Sequence, residues 1–174
     1  TGISPHGQGQ ETTFAQMAAD VIGADFDDVV VHHGDTANTP QGNGTMGSRG
    51  LAVGGAALMA SLRKIQEKSK AIAAHILEAS PEDIEVEGGK FRVKGVPDTG
   101  VTLADIAAVA YSGNLPDGMD SGLETTDFFR PSGTTFPFGT HVAVVEVMPD
   151  TGEVKWLRYV SVDDCGPIMS PVLV

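Results

Sequence analysis

The sequence predicts an α+β fold in which helices are layered on a mixed, largely antiparallel sheet. Three observations predict it. Apolar residues recur at helical spacing over 10–22 and 48–79. Residues 84–93 and 138–162 alternate about Gly88-Gly89 and Pro149-Asp150-Thr151-Gly152, as antiparallel hairpins do. The repeated strand–helix–strand order of a doubly wound parallel sheet does not occur.

Each element follows from its residues. Ile3 reads as the end of a strand, and residues 4–9 as a glycine loop. The helix over 10–22 places Phe14, Met17, Ala18 and Val21 on one face, with Gly23 as its C-cap. Val29–His33 is a short β-branched strand, and its adjacent His32 and His33 point to opposite faces. Residues 34–47 form a long loop without hydrophobic period, a length that usually carries function.

A long helix from Ser48 to Ala79 follows, with Leu58, Leu62, Ile65, Ile72 and Ile76 on its apolar stripe. Its first half is small and apolar, which suits close packing. Its second half carries Arg63, Lys64, Glu67, Lys68 and Lys70, which suits solvent. Ser80–Asp83 is a turn into the first hairpin. Thr102 or Val101 caps a short helix to Ala110, residues 112–122 are loop, and Gly122–Phe129 reads as a strand. The order divides into a unit over 1–113, holding two Gly-rich loop-to-helix junctions, and a β-hairpin extension over 114–174.

Composition excludes several functions. The chain has 174 residues, a formal charge of −12 and a pI of about 4.6. That balance disfavours nucleic acid and anionic membrane surfaces, which need clustered Lys and Arg. The apolar run Leu51–Leu62 is too short to span a membrane. One cysteine, Cys165, rules out an internal disulfide and points to a reducing, cytoplasmic compartment, with the thiol in the core. The five histidines show no metal-ligand spacing. Starting at Thr1 and stopping at Val172-Leu173-Val174, the chain reads as a piece of a longer one.

Chemistry is concentrated at the two junctions. In His6-Gly7-Gln8-Gly9-Gln10-Glu11-Thr12-Thr13 a loop without Cβ atoms at Gly7 and Gly9 runs into a helix. Free N–H groups and the helix dipole there favour an anion, so phosphate is the candidate ligand and a tight turn the alternative. The stretch lacks the third glycine of a dinucleotide fingerprint and the Gly-Lys-Ser/Thr of a P-loop. Gly44-Thr45-Met46-Gly47-Ser48-Arg49-Gly50 repeats the arrangement, adding two hydroxyls and a guanidinium suited to phosphate. It is one residue short of a serine-hydrolase elbow. If both helix starts face one cleft, they can grip a long polyanion from two sides.

Read together, these stretches resemble the molybdenum hydroxylases, the xanthine dehydrogenase and aldehyde oxidase family, and within it the large subunit of aerobic carbon monoxide dehydrogenase. The matching segments are Thr1–Thr13, His33–Pro40, Gly44–Arg49 and Asp163–Pro171, in order across the whole chain. The resemblance implies a molybdopterin cofactor, in its cytosine dinucleotide form, with molybdenum held by the pterin and not by protein side chains. It implies cofactor contact at His6, Gly7, Gln8, Gly9, Thr45, Met46, Gly47, Ser48 and Arg49, with Gln8 near the metal. It further implies partner subunits carrying iron-sulfur clusters and FAD, a small-molecule substrate, and oxidative hydroxylation with water as oxygen source. The family's substrate loop and its C-terminal glutamate base match nothing in residues 1–174, so a complete active site is not expected here. Gln10 stands where many relatives carry His or Leu. The rival readings are a phosphate- or nucleotide-binding module without chemistry and a structural domain.

Overall fold

The computed structural model describes residues 1–96 and 99–174. Among the described residues it is α+β, with three α-helices and strands that pair antiparallel. Two compact units emerge, Thr1–Ser132 and Gly133–Val174.

In the first unit, helix α1 spans Gln10–Ile22. It starts after Gly9, whose φ of 73° is left-handed, and stops at Gly23, whose N–H bonds the Ala19 carbonyl at 3.0 Å. Its buried face is Gln10, Phe14, Ala15, Met17 and Ala18. Helix α2 spans Ala56–Leu77 and is entered through a π-helical turn, Gly50–Gly55. It leaves through Glu78, a left-handed cap. The Gln66 amide of α2 donates to the Val21 carbonyl at the end of α1. Helix α3, Leu103–Ser112, opens on a capping box in which Thr102 and Asp105 exchange bonds.

A three-stranded sheet, β1 (Ile84–Glu87), β2 (Lys90–Val93) and β3 (Val101–Thr102), lies in that order. The turn Gly88-Gly89 has φ of 56° and 73°, values that only glycine takes without strain. The core joins this sheet to α2 and α3 through Ile72, Ala73, Ala74, Ile84, Phe91, Val101, Ile106 and Ala110. The hydroxyl of Ser69 is buried beside it without a hydrogen-bond partner.

The second unit is a hairpin of β4 (Phe138–Val147) and β5 (Val154–Asp164) with a register shift between Val144 and Val145. Gly152, with φ of 72°, closes its turn by donating to the Met148 carbonyl. On its surface the His141 ring meets the Tyr159 hydroxyl at 2.7 Å and the Asp163 carboxylate at 3.2 Å. The Ser161 hydroxyl and then the His141 ring hold that carboxyl below the ordinary aspartate range, against partial desolvation.

Several sequence-based expectations need correcting. Val29–His33 is not a strand: a 3-10 turn over Phe26–Asp28 precedes it, and the run then passes without ladder pairing, with Val30 exposed. Ile3 ends no strand; it is a buried side chain against Gly54. Gly122–Phe129 is also irregular: it is tied to α2 and α3 and not to a strand, and the Gly122 N–H donates to the Ala110 carbonyl at 2.9 Å. The Leu123 N–H donates to the Tyr111 hydroxyl at 3.3 Å, and Asp127 accepts from Ser61 at 2.9 Å and pairs with Lys64. Those ties hold residues of the 114–132 stretch against α2 and α3, and the compact units divide after Ser132. The long helix begins at Gly50 rather than Ser48, since Ser48 has a positive φ of 58°. Cys165 is exposed: it follows β5 in a turn where the Gly166 N–H donates to Asp164 at 2.9 Å.

Asp127 yields a pH prediction. Its carboxyl is held below the ordinary aspartate range by Lys64, against partial desolvation, with help from Ser61 and Thr125. A depressed folded pKa contributes stability that is complete above the unfolded value and lost as pH falls through the folded one. Asp127→Asn is therefore expected to lower the urea midpoint at neutral pH, and the gap to wild type should narrow as the pH is taken below the ordinary aspartate range. A gap of constant size across that range would remove the carboxylate from this role.

Candidate functional site

The two Gly-rich junctions lie side by side in the first unit. Three contacts bring them together. The Gln10 side-chain amide donates to the Thr45 hydroxyl at 3.1 Å, across 35 residues of sequence. The Gly44 N–H donates to the Gly2 carbonyl at 3.2 Å. Gly2 and Gly42 cross in backbone contact: a Cβ on Gly2 would lie 2.7 Å from the Gly42 Cα and on the Gln41 carbonyl oxygen. Only glycines permit that crossing.

The entry into α2 is packed just as closely. A Cβ on Gly54 would strike Ile3 and come within 3.2 Å of Phe14, and one on Gly50 would occupy the place of the Gln10 amide. The small residues before α2 thus let α1 and the chain's first residues lie directly against the turn over 50–55. That proximity follows from side-chain volume.

Both junctions offer unsatisfied donors. Neither α1 nor the turn over 50–55 has a side-chain cap, so their first N–H groups have no partner within the helix or from a cap. His6, Gly7 and Gln8 are exposed, as are Met46, Gly47 and Ser48; Gly9, Thr45 and Arg49 are half-buried. A Cβ on Gly7, Gly44 or Gly47 would meet nothing within 4 Å, so the space before these backbones is open. The Gln8 side chain folds back to accept from the His6 N–H. Ser48 stands in left-handed backbone, a strain of about 1–2 kcal/mol for a residue with a Cβ, at the junction expected to be functional.

Local electrostatics favour an anion despite the acidic total. Residues 1–10 and 36–66 contain no Asp or Glu, while Arg49, Arg63 and Lys64 lie in the second stretch. Glu11, in the first turn of α1, is engaged by His33 at 2.6 Å. Asp35, at the edge of the loop, accepts from the Ala37 N–H at 2.8 Å and from Asn38. A shallow hollow elsewhere, between α2 and β1, is lined by Glu67, Lys70, Glu82 and Lys94 and shares no residue with either junction.

The donor set therefore suits a phosphate-bearing group, and comparison with known proteins gives its class. Residues 1–174 match the molybdopterin cofactor-binding domain over their whole length. The chain belongs to that family. It is 38% identical over 99% of its length to the carbon monoxide dehydrogenase large chain of Afipia carboxidovorans, covering 21% of that protein. It is 39% identical to the nicotine 6-hydroxylase large subunit of Paenarthrobacter nicotinovorans over 100% of its length and 22% of that subunit's. A crystal structure of the Cu,Mo-CO dehydrogenase superposes with a TM-score of 0.86 at 38% identity, over 99% of this chain and 22% of the other. Quinoline 2-oxidoreductase from Pseudomonas putida 86 superposes at 0.84, again at 38% identity, over 98% of this chain and 22% of the other. The domain thus spans about a fifth of the length of the curated relatives it matches.

The resemblance drawn from the sequence to the carbon monoxide dehydrogenase large subunit agrees with these matches. Among the described residues, no group of three or more His, Cys, Asp or Glu could hold a metal ion, and no helix is long and apolar enough to cross a membrane. The sequence places Gln10 and Gly50 inside the two junction motifs but does not show that they pack against each other. One signal of burial was present: Gln10 continues the stripe Phe14, Met17 and Ala18 at helical spacing, a polar residue on a face that must be buried.

Ser48 gives a test of the strained junction. Ser48→Val puts a β-branched side chain in left-handed backbone and is expected to cost about 1–3 kcal/mol more than Ser48→Gly, read from urea unfolding. Equal stabilities for the two variants would mean that residue 48 is not held left-handed.

Proposed function

We propose that this domain forms part of the cradle for a molybdopterin cofactor in the large subunit of a molybdenum hydroxylase of the carbon monoxide dehydrogenase type. The observation that carries the reading is the pairing of two uncapped helix starts, at Gln10 and Gly50, in a chain of the molybdopterin-binding family. His6, Gly7, Gln8 and Gly9 would hold one side of the cofactor. Thr45, Met46, Gly47, Ser48 and Arg49 would hold the other. The cytosine dinucleotide form suits two junctions that together offer amides, hydroxyls and one guanidinium along an extended anion.

The cofactor, when bound, supplies the redox chemistry of an oxidative hydroxylation that takes its oxygen from water. This domain's own residues bind and orient. Arg49 and the exposed amides neutralise and align the diphosphate. The glycines let the backbone approach it. Gln8, once released from the His6 N–H, has an amide free to turn toward the metal end. Substrate loop and general base belong to other parts of the parent, which works in the cytoplasm and passes electrons to iron-sulfur and FAD subunits.

Two measurements test this. In the complete enzyme, Gln8→Ala is expected to lower molybdenum per subunit by about tenfold, the scale of losing an outer partner of a metal centre. Inductively coupled plasma mass spectrometry reads it, and wild-type loading of the variant would take Gln8 out of the role. The purified 174-residue chain is expected to turn over neither carbon monoxide, aldehydes nor purines, and measurable oxidation of any of them would show that it holds a complete active site.

A further inference from the structure

Gln10 and Ser69 are the buried polar side chains of the first unit's described residues, and they differ in kind. Ser69 lies unpartnered in the core. Gln10 sits at the first position of α1, directly after the Gly9 loop, with its amide inserted between two other segments. Its nitrogen donates to the Thr45 hydroxyl at 3.1 Å, and that hydroxyl also lies 3.4 Å from the Gln10 oxygen. A Cβ on Gly50 would displace the amide, so Gly50 makes the room it occupies. Residues 10, 45 and 50 thus close around one amide. Each belongs to, or adjoins, one of the two junctions.

This arrangement differs from ordinary helix packing. The apolar contacts of α1 with the turn over 50–55, through Phe14 and Gly54, fix the two helices but not the loops ahead of them. Thr45 precedes the turn by five residues, in a segment with little regular structure. The Gln10–Thr45 bond is a side-chain tie between that segment and α1. An amide that loses such a partner while buried carries its full desolvation cost, so the bond resists opening more than an exposed one would.

We propose that Gln10 is a positioning residue, a latch whose buried amide clasps Thr45 and holds the loops 6–9 and 45–49 at the separation the cofactor spans. The proposal rests on the cofactor-binding reading above. Gln10 does not touch the cofactor in this scheme. It narrows the range of loop spacings in the free protein, so less order has to be imposed on binding and more must be lost on release.

The test uses the complete enzyme complex with Gln10→Ala, Thr45→Val, their double variant and Thr45→Ser. Pterin release is followed by fluorescence after transfer into mild urea, alongside molybdenum content. Gln10→Ala is expected to speed release by about tenfold, the upper range for one buried hydrogen bond, and Thr45→Val by at least as much, because it also takes away the contact Thr45 makes to the cofactor. The double variant should be no faster than Thr45→Val alone, because Gln10→Ala has no bond left to remove once the Thr45 hydroxyl is gone. Thr45→Ser keeps the hydroxyl and should release at close to the wild-type rate. Hydrogen exchange of cofactor-free protein supplies a second readout: both single variants should raise exchange at 41–49 without raising it in β1 and β2.

A double variant faster than Thr45→Val would overturn the latch, since Gln10 would then act otherwise than through Thr45. Wild-type release from Gln10→Ala would overturn it too, as would exchange raised equally throughout the first unit. A wild-type complex that carries no pterin would instead overturn the cofactor reading itself, which the loading measurement separates from the other outcomes.

Discussion

The Gln10 amide, buried between Thr45 and Gly50, is the contact on which the site's geometry depends. It can exist only because several volumes vanish together. Gly50 leaves room for the amide. Gly54 lets Ile3 and Phe14 press against the turn into α2. Gly2 and Gly42 let the first residues cross the loop backbone to backbone. Each omission weakens local structure, since glycine raises the entropy cost of folding. The return is proximity: two helix starts come close enough for one ligand to reach both.

Rigidity and openness are divided between regions of the first unit. Around Phe91, which has no exposed surface, α2, α3 and three short strands form a conventional apolar core. The junctions lie outside that core and are fixed by a few directed bonds. Binding loops held on a rigid base are the common solution when a surface must be specific and still admit a large ligand. The π-helical entry to α2 fits this division, because such turns interrupt the regular ladder where function needs a different spacing.

Legibility in the sequence tracked how local each determinant was. The ends of α1 could be read because Gly23 stops the apolar period, and the first hairpin because Gly88-Gly89 can turn only one way. Val29-Val30-Val31 misled for the opposite reason: β-branched residues favour extended backbone, but a strand also needs a partner, and none pairs with it. Strand β3 is two residues long and has no period to detect. The junctions were legible as glycine-rich loops that run into helices. Their meeting was not, because it depends on one amide and four glycines whose effect is steric and distant in sequence. The strain at Ser48 was equally hidden, since serine gives no sign of a left-handed backbone.

A net charge of −12 and a polyanionic ligand look incompatible until distance is considered. Charges at the surface are screened over about 8 Å at physiological salt, so a ligand feels the groups near it and little of the total. The sequence is arranged accordingly. Its acids are missing from residues 1–10 and 36–66, the segments that build both junctions, and the nearest exceptions are occupied, Glu11 by His33 and Asp35 by its own loop. What remains at the second junction is Arg49, two hydroxyls and a set of backbone amides. Amide donors suit an acidic surface, because they bind phosphate at fixed geometry while adding no formal charge that nearby carboxylates could neutralise. An acidic domain can therefore hold an anion provided that the binding is done by backbone, and backbone can do it only where the side chains have been reduced to hydrogen.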